Sequence, residues 1–219
     1  MRIGILGSTG PAGTALGARL ASVGYEVILG SRSLERATQA RDALLAQWPT
    51  WSLALDASDN EGTAAGGEVV VVATPWDSAA PTAGELERHL SGKVVICMAN
   101  ALVRVGREFQ PLILPRGSVA AHVQAAVPSC RVAAAFHHLP AKELGELGEP
   151  VDSDVLICSD DKSATTAVAE IVDRIPGCRA LDVGGLSQAM AVEAFTATLL
   201  QLNVRYKTRV APKFTGIRS

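Results

Sequence analysis

Arg2-Ile3-Gly4-Ile5-Leu6-Gly7-Ser8-Thr9-Gly10-Pro11-Ala12-Gly13 follows Met1, and the reading of this stretch decides the fold. Its first five residues are an apolar run of the kind that forms a buried strand. Glycines follow, and then a helical spacing of apolar residues over 13–23 (Ala15, Leu16, Ala18, Leu20, Val23), closed by Gly24. Strand, glycine turn and helix in that order form the context of a phosphate-binding turn. Gly10 lets the backbone approach a pyrophosphate, and Gly13 lets the helix pack close to the strand. The helix start offers unpaired N–H groups and partial positive charge to phosphates. A strict G-x-G-x-x-G pattern would have its first glycine at Ser8, so Gly7 takes the tight-turn duty. The competing reading is a turn that serves structure alone.

The same rhythm continues outward. A second strand is predicted over 26–29, a helix capped by Ser33 over 33–48 and ended by Pro49, and a third strand over 52–55. Val69-Val70-Val71-Val72-Ala73 is a continuous β-branched run, which predicts a strand buried on both faces, as in a parallel sheet. A helix over 77–90 and a strand over 93–98 complete a βαβ series. The fold class expected is α/β: a Rossmann-like, doubly wound parallel sheet. Beyond it come strands over 131–136, 155–158 and 179–183 and a helix over 163–175. A long apolar helix over 187–204 follows, so the chain is expected to finish as a small C-terminal α/β portion ending in that helix. The rhythm changes near Pro140. This suggests a nucleotide-binding domain over 1–140 and a smaller region over 141–219.

Composition excludes several classes. The 219 residues are 48% apolar and 19% charged, too apolar for disorder. Net charge is −2 and aromatics are 4%, so neither a strong field nor stacking platforms invite nucleic acid. No apolar stretch approaches the length of a membrane span. Met1 runs straight into a strand, so no secretory leader is expected. Cys97, Cys130, Cys158 and Cys178 share no C-x-x-C spacing and are expected to be reduced, buried thiols of a cytoplasmic protein.

The end of the second strand chooses the nucleotide. A site for the unphosphorylated dinucleotide wants a carboxylate there to accept from the ribose 2′-OH. This chain has Gly30-Ser31-Arg32-Ser33, with Arg36 one turn on. Ser31 can donate to a 2′-phosphate and Arg32 can pair with it or stack on adenine, which favours NADP(H). Thr74-Pro75-Trp76 and Ala99-Asn100 follow strands at the edge where open α/β sheets bind ligands. Trp76 is either a wall beside the nicotinamide or core packing. His137 closes a strand beside the same cleft and is either a functional polar group or a structural one. No metal-ligand cluster, G-x-S-x-G elbow or Tyr-x-x-x-Lys pair occurs, so neither a metal site nor a protein acid, base or nucleophile is expected.

Taken together, these blocks resemble the NADPH-dependent coenzyme F420 reductases (F420:NADP oxidoreductases). The likeness covers nearly the whole chain. It rests on the glycine turn, Val27-Ile28-Leu29-Gly30-Ser31-Arg32, Thr74-Pro75-Trp76 and Ala135-Phe136-His137-His138-Leu139-Pro140-Ala141. It continues in Val155-Leu156-Ile157-Cys158-Ser159-Asp160-Asp161 and Leu181-Asp182-Val183-Gly184-Gly185-Leu186-Ser187.

The resemblance implies hydride transfer between NADP(H) and the deazaflavin coenzyme F420, the small-molecule co-substrate. Gly7 to Gly13, including Thr9, Pro11 and Ala12, would hold the pyrophosphate side. Ser31, Arg32 and Arg36 would hold the 2′-phosphate. Thr74, Pro75, Trp76, Ala99, Asn100 and Ala141 would line the nicotinamide side, and His137 and Thr196 would approach the deazaflavin. Ala194 stands where the family pattern has serine. A homodimer is the family expectation, with the helix over 187–204 as interface or core. The basic segment over 205–219 (Arg205, Lys207, Arg209, Lys213, Arg218) is either a partner for the anionic deazaflavin tail or a solvated or subunit-contact tail. Rival readings are another small NADPH reductase, acting on an imine, a ketone or a ferric complex, and a non-catalytic NADPH sensor.

Overall fold

Val69–Val72 forms strand β4, and its four side chains divide between two cores. Val69 and Val71 pack with Ile3, Ile5, Leu16 and Leu20, whereas Val70 and Val72 pack with Ala79, Ala83 and Val95. Period-two alternation with both faces apolar is how a buried parallel strand places its side chains. The computed structural model describes residues 1–217. Arg218 of the basic tail therefore lies outside the described residues.

Strands β1 (Arg2–Leu6), β2 (Glu26–Ser31), β3 (Leu55–Asp59), β4, β5 (Val94–Cys97) and β8 (Arg131–Ala134) run parallel. β9 (Ser153–Ser159) pairs antiparallel with β8, and β10 (Cys178–Gly184) pairs parallel with β9. The eight-stranded sheet has the order β10-β9-β8-β5-β4-β1-β2-β3. Residues beyond 140 thus extend the sheet of the first 140. β6 (Leu102–Val105) and β7 (Glu108–Pro111) form a separate hairpin.

Helices α1 (Pro11–Ser22), α2 (Leu34–Gln47), α7 (Ala141–Gly145) and α8 (Lys162–Asp173) contribute buried residues to one core. Helices α3 (Asn60–Gly66), α4 (Trp76–Glu85), α5 (Glu87–Leu90), α6 (Val119–Ala126) and α9 (Ala189–Tyr206) contribute to the other. The sheet is therefore doubly wound, as the βαβ rhythm implies.

Three local expectations shift. The third strand lies at Leu55–Asp59, because Trp48, Trp51 and Leu53 pack against the core as a connection. The helix expected over 77–90 is two helices meeting at Leu86. The strand expected over 131–136 stops at Ala134, because Phe136 takes a left-handed φ of 65° while buried.

The thiols of Cys97, Cys130 and Cys158 are buried, that of Cys178 partly so, and all four are free. Burial pushes Cys97 up to about 12 and Cys158 and Cys178 to about 11.

Arg19 on α1 is fully buried, and its guanidinium donates to four carbonyls at the end of α7 and just beyond it. Nε reaches Leu144 at 2.9 Å, Nη1 reaches Leu147 at 3.4 Å, and Nη2 reaches Glu143 at 3.1 Å and Glu146 at 2.7 Å. A helix C-terminus leaves such carbonyls without intrahelical partners and carries partial negative charge. Arg19→Met strands the Leu144 and Leu147 oxygens in the interior, whereas those of Glu143 and Glu146 keep a backbone N–H each. It is expected to cost about 3–5 kcal/mol and lower Tm by about 10 °C. Thermal unfolding followed by circular dichroism checks it, with Arg19→Lys recovering only part because it has no fork.

Candidate functional site

The glycine turn bends at Gly7, which has φ 78°. A Cβ at Gly7 would stand 2.9 Å from Thr74, so only glycine fits between β1 and the segment after β4. A Cβ at Gly13 would meet Gly7 O and Ser8 Cα at 3.0 Å, which is the close helix–strand packing expected there. At Gly10 the same test finds only Gly7 O, at 3.7 Å, so the surface above it stays open. Gly10 is the N-cap of α1, where no side chain caps the helix, Pro11 occupies its start and no acid stands in the first turn. An uncapped helix N-terminus facing open space suits an anion.

A cavity of about 710 Å³ lies over this turn. Gly7, Thr9, Gly10, Pro11 and Ala12 line one end, Ser31, Arg32 and Arg36 a second side, and Thr74, Pro75 and Met98 a third. Arg32 and Arg36 are exposed, and neither has an acidic partner among the described residues. Thr74 Oγ1 and Asn60 Oδ1 are buried without hydrogen-bond partners. This donor set fits a phosphorylated dinucleotide: a turn and helix start for two phosphates, cations for a third, and unpaired polar atoms along the wall.

A second cavity, of about 340 Å³, lies beyond β5 and β8. Asn100, His137, Ala141 and Thr196 line it together with Leu199 and Arg209. Asn100 Nδ2 donates to the His137 carbonyl at 2.7 Å, and Thr196 Oγ1 reaches the same oxygen at 3.4 Å. The left-handed Phe136 turns the chain into this bracket. His137 is buried, and neither ring nitrogen has a partner; Asn100 Oδ1 is also unpaired. Burial, with the His138 ring adding to it, holds the His137 pKa down to about 3, so the imidazole is neutral at physiological pH. It can orient a ligand by a hydrogen bond but does not arrive as a charged acid. His138 is structural: its Nε2 lies 2.8 Å from the Asp154 carbonyl. Met98 lines the first cavity and Asn100 the second, so the two adjoin, about 7 Å of chain apart.

Several expected residues stand elsewhere. Ser8 faces β2, its hydroxyl donating to the Gly30 carbonyl at 3.0 Å, and Gly13 is consumed in packing. Trp76 starts α4 and packs against the second core, and Ala99 is buried in it; neither lines the first cavity. Ala194 lines a different groove, with Phe109, Ala191 and Phe195, between α9 and the hairpin. Two positions along a helix turn the side chain by about 200°, so Ala194 and Thr196 face opposite ways. Conversely, Asn60, Ser78 and Thr82 line the first cavity without sequence warning. Asn60 was within reach, since it follows β3 at the ligand-binding edge, but only once that strand is placed at Leu55–Asp59.

A family profile described as "NADP oxidoreductase coenzyme F420-dependent" matches residues 2–101. Across 100% of its length the chain is 34% identical to the F420-dependent NADP reductase of Methanocaldococcus jannaschii, of which it covers 97%. The chain belongs to the F420-dependent NADP reductase family. A second F420-dependent NADP reductase, from Methanothermobacter thermautotrophicus, is also 34% identical, over 100% of this chain and 94% of its own. The crystal structure of a candidate F420-dependent NADP reductase from Arthrobacter sp. FB24 superposes with TM-score 0.78 at 25% identity, covering 96% of this chain and 99% of that one. A pyrroline-5-carboxylate reductase from Coxiella burnetii, 16% identical with TM-score 0.62, covers 90% of this chain and 63% of its own and shares the fold.

Helix α9 carries a buried acid. Glu193 accepts from the backbone N–H groups of Val119 (2.8 Å) and Ala120 (3.2 Å) at the start of α6. Burial pushes its carboxyl up to about 7, against the pull of those two amides. A raised native pKa means that the folded state holds the proton more tightly than the unfolded chain. The stability this gives is complete below the ordinary value of 4.5 and lost as pH rises through about 7. Wild-type Tm should therefore fall between about pH 5 and pH 8 relative to Glu193→Gln, which does not titrate. Parallel melting curves across that range test it, and a constant gap between the two proteins refutes it.

Proposed function

We propose that the chain transfers a hydride between NADP(H) and coenzyme F420, with the dinucleotide in the first cavity and the deazaflavin in the second. The observation that carries this reading is the pair of adjoining cavities on one sheet edge, one prepared for three phosphates and the other a mostly apolar slot with unpaired polar atoms. When bound, the two carriers supply the hydride donor and acceptor themselves. The protein's part is orientation and exclusion of water.

The N–H groups at the start of α1 and the open face of Gly10 hold the pyrophosphate. Ser31, Arg32 and Arg36 hold the 2′-phosphate, and Thr74, Pro75 and Ala141 bound the space where the two rings meet. Neutral His137, Asn100 Oδ1 and Thr196 present hydrogen-bonding atoms to the deazaflavin. No residue acts as nucleophile, acid or base.

The region over 141–219 completes the acceptor side of a 1–140 nucleotide-binding part. The reading also includes a cytoplasmic homodimer. Met190, Leu202 and Val204 of α9 are exposed apolar residues, supporting α9 as part of the subunit contact. Among the described residues, no helix is long and apolar enough to cross a membrane.

Mixing protein, NADPH and oxidised coenzyme F420 should bleach the deazaflavin's visible absorbance. Arg32→Ala should raise the KM for NADPH about tenfold, the loss of one charge-assisted phosphate contact, while leaving that for NADH nearly as it was. Equal effects on both nucleotides would remove Arg32 from the 2′-phosphate site. Sedimentation should give twice the monomer mass, and Leu202→Glu should shift it toward the monomer.

A further inference from the structure

The second cavity is neutral inside and carries one formal charge among its described lining residues. That charge is Arg209, at the rim. Arg205 and Lys207, nearby in sequence, do not line it.

Arg209 stands on a backbone fixed from both sides. Upstream, Lys207 ends α9 in a left-handed conformation with φ 52°, and Thr208 N–H donates to the Asn203 carbonyl at 3.3 Å; just after Arg209, Val210 N–H donates to Asn203 Oδ1 at 2.7 Å. Downstream, the Pro212 carbonyl accepts from Asp154 N–H at 2.8 Å, and Phe214 N–H donates to Asp154 Oδ2 at 2.6 Å. The Asp154 carboxylate is itself buried and gripped by Arg179, through Nε at 2.9 Å and Nη2 at 2.7 Å. The segment after α9 is thus nailed to β9 and β10, and Arg209 is its one side chain with a charge on the cavity.

The Arg209 side chain is 48% exposed, and its Nε is paired with the Glu143 carboxylate. Its two Nη groups make no hydrogen bond to the described residues. The fork is therefore oriented by Glu143, and its outer edge is free for a second anion.

We infer that Arg209 is a specificity-determining residue that binds the anionic chain of the acceptor, a phosphodiester-class group, where that chain leaves the cavity. The inference deepens the proposed function and rests on the deazaflavin occupying this cavity. A neutral slot whose mouth holds an arginine, paired through Nε with Glu143 and free at its two Nη groups, selects a ligand of matching polarity: a flat, largely apolar ring system inside and an anion on a short tether outside. A ring without the anion would fit the slot but forgo the outer contact.

The test compares two acceptors at saturating NADPH: coenzyme F420, and the same deazaflavin alcohol lacking phosphate and glutamates. Arg209→Gln is expected to raise the KM for coenzyme F420 about three- to tenfold more than the KM for the tail-less acceptor, and Arg209→Lys to recover part of the difference. Raising salt from about 0.05 to about 0.5 M should raise the wild-type KM for coenzyme F420 more than that for the tail-less acceptor, a difference that Arg209→Gln removes. The salt series on wild type alone keeps the proposal testable if the variant folds poorly. Equal changes for both acceptors, or no salt-dependent difference in wild type, overturn the role of Arg209. A wild-type protein that reduces neither acceptor overturns instead the functional reading beneath it.

Discussion

The fork of Arg19 ties helix α1 to the end of α7, a buried polar link added to the sheet that the two parts of the chain already share. It rises from the helix whose first turn faces the first cavity and satisfies four carbonyls at the end of the helix that begins with Ala141. A charged group with this many backbone partners has one geometry, and removing it leaves unpaired oxygens on a buried surface. It helps to fix the glycine-turn helix against the segment that borders the second cavity. Hydride transfer tolerates little error in the distance between donor and acceptor, so a rigid link between their two holders is what the reaction requires.

The reversal of strand direction after β8 is the second constraint. Parallel strands β1 to β5 and β8 deliver their carboxyl ends to one edge, where ligands bind. β9 runs the other way, so its N-terminal end lies at that edge. There Asp154 binds the segment after α9, and the same return lets α9 lie over the ends of β5 and β8 with Thr196 against the His137 carbonyl. One sheet thus borders the first cavity with its strand ends and the second with a helix folded back across them.

Much of this was legible in the residues. Gly7 and Gly10 sit between β1 and α1 and Gly13 in the first turn of that helix, and Ser31, Arg32 and Arg36 line the cavity over the turn, neither arginine in a salt bridge among the described residues. These are local features, set by sequence neighbours and period. The parts that escaped are set by contacts between distant segments. Ser8 reads as a turn residue facing the ligand, but its hydroxyl is claimed by Gly30. Trp76 reads equally as a wall or as core packing, and its half-buried ring packs against the second core. The third strand lies later than expected because Leu53, inside the stretch read as strand, packs on the core with Trp48 and Trp51 as a connection. Nothing near Arg19 in sequence announces the four carbonyls more than a hundred residues away.

The thiols carry a consequence for redox discipline. With pKa values of about 11 or 12, Cys97, Cys158 and Cys178 keep on the order of one thiolate in ten thousand or fewer at neutral pH. A protein that passes electron pairs between two diffusible carriers thereby offers them almost no nucleophilic sulfur of its own. The reducing equivalents stay on the carriers, and the polypeptide remains a bystander to the oxidation state it manages.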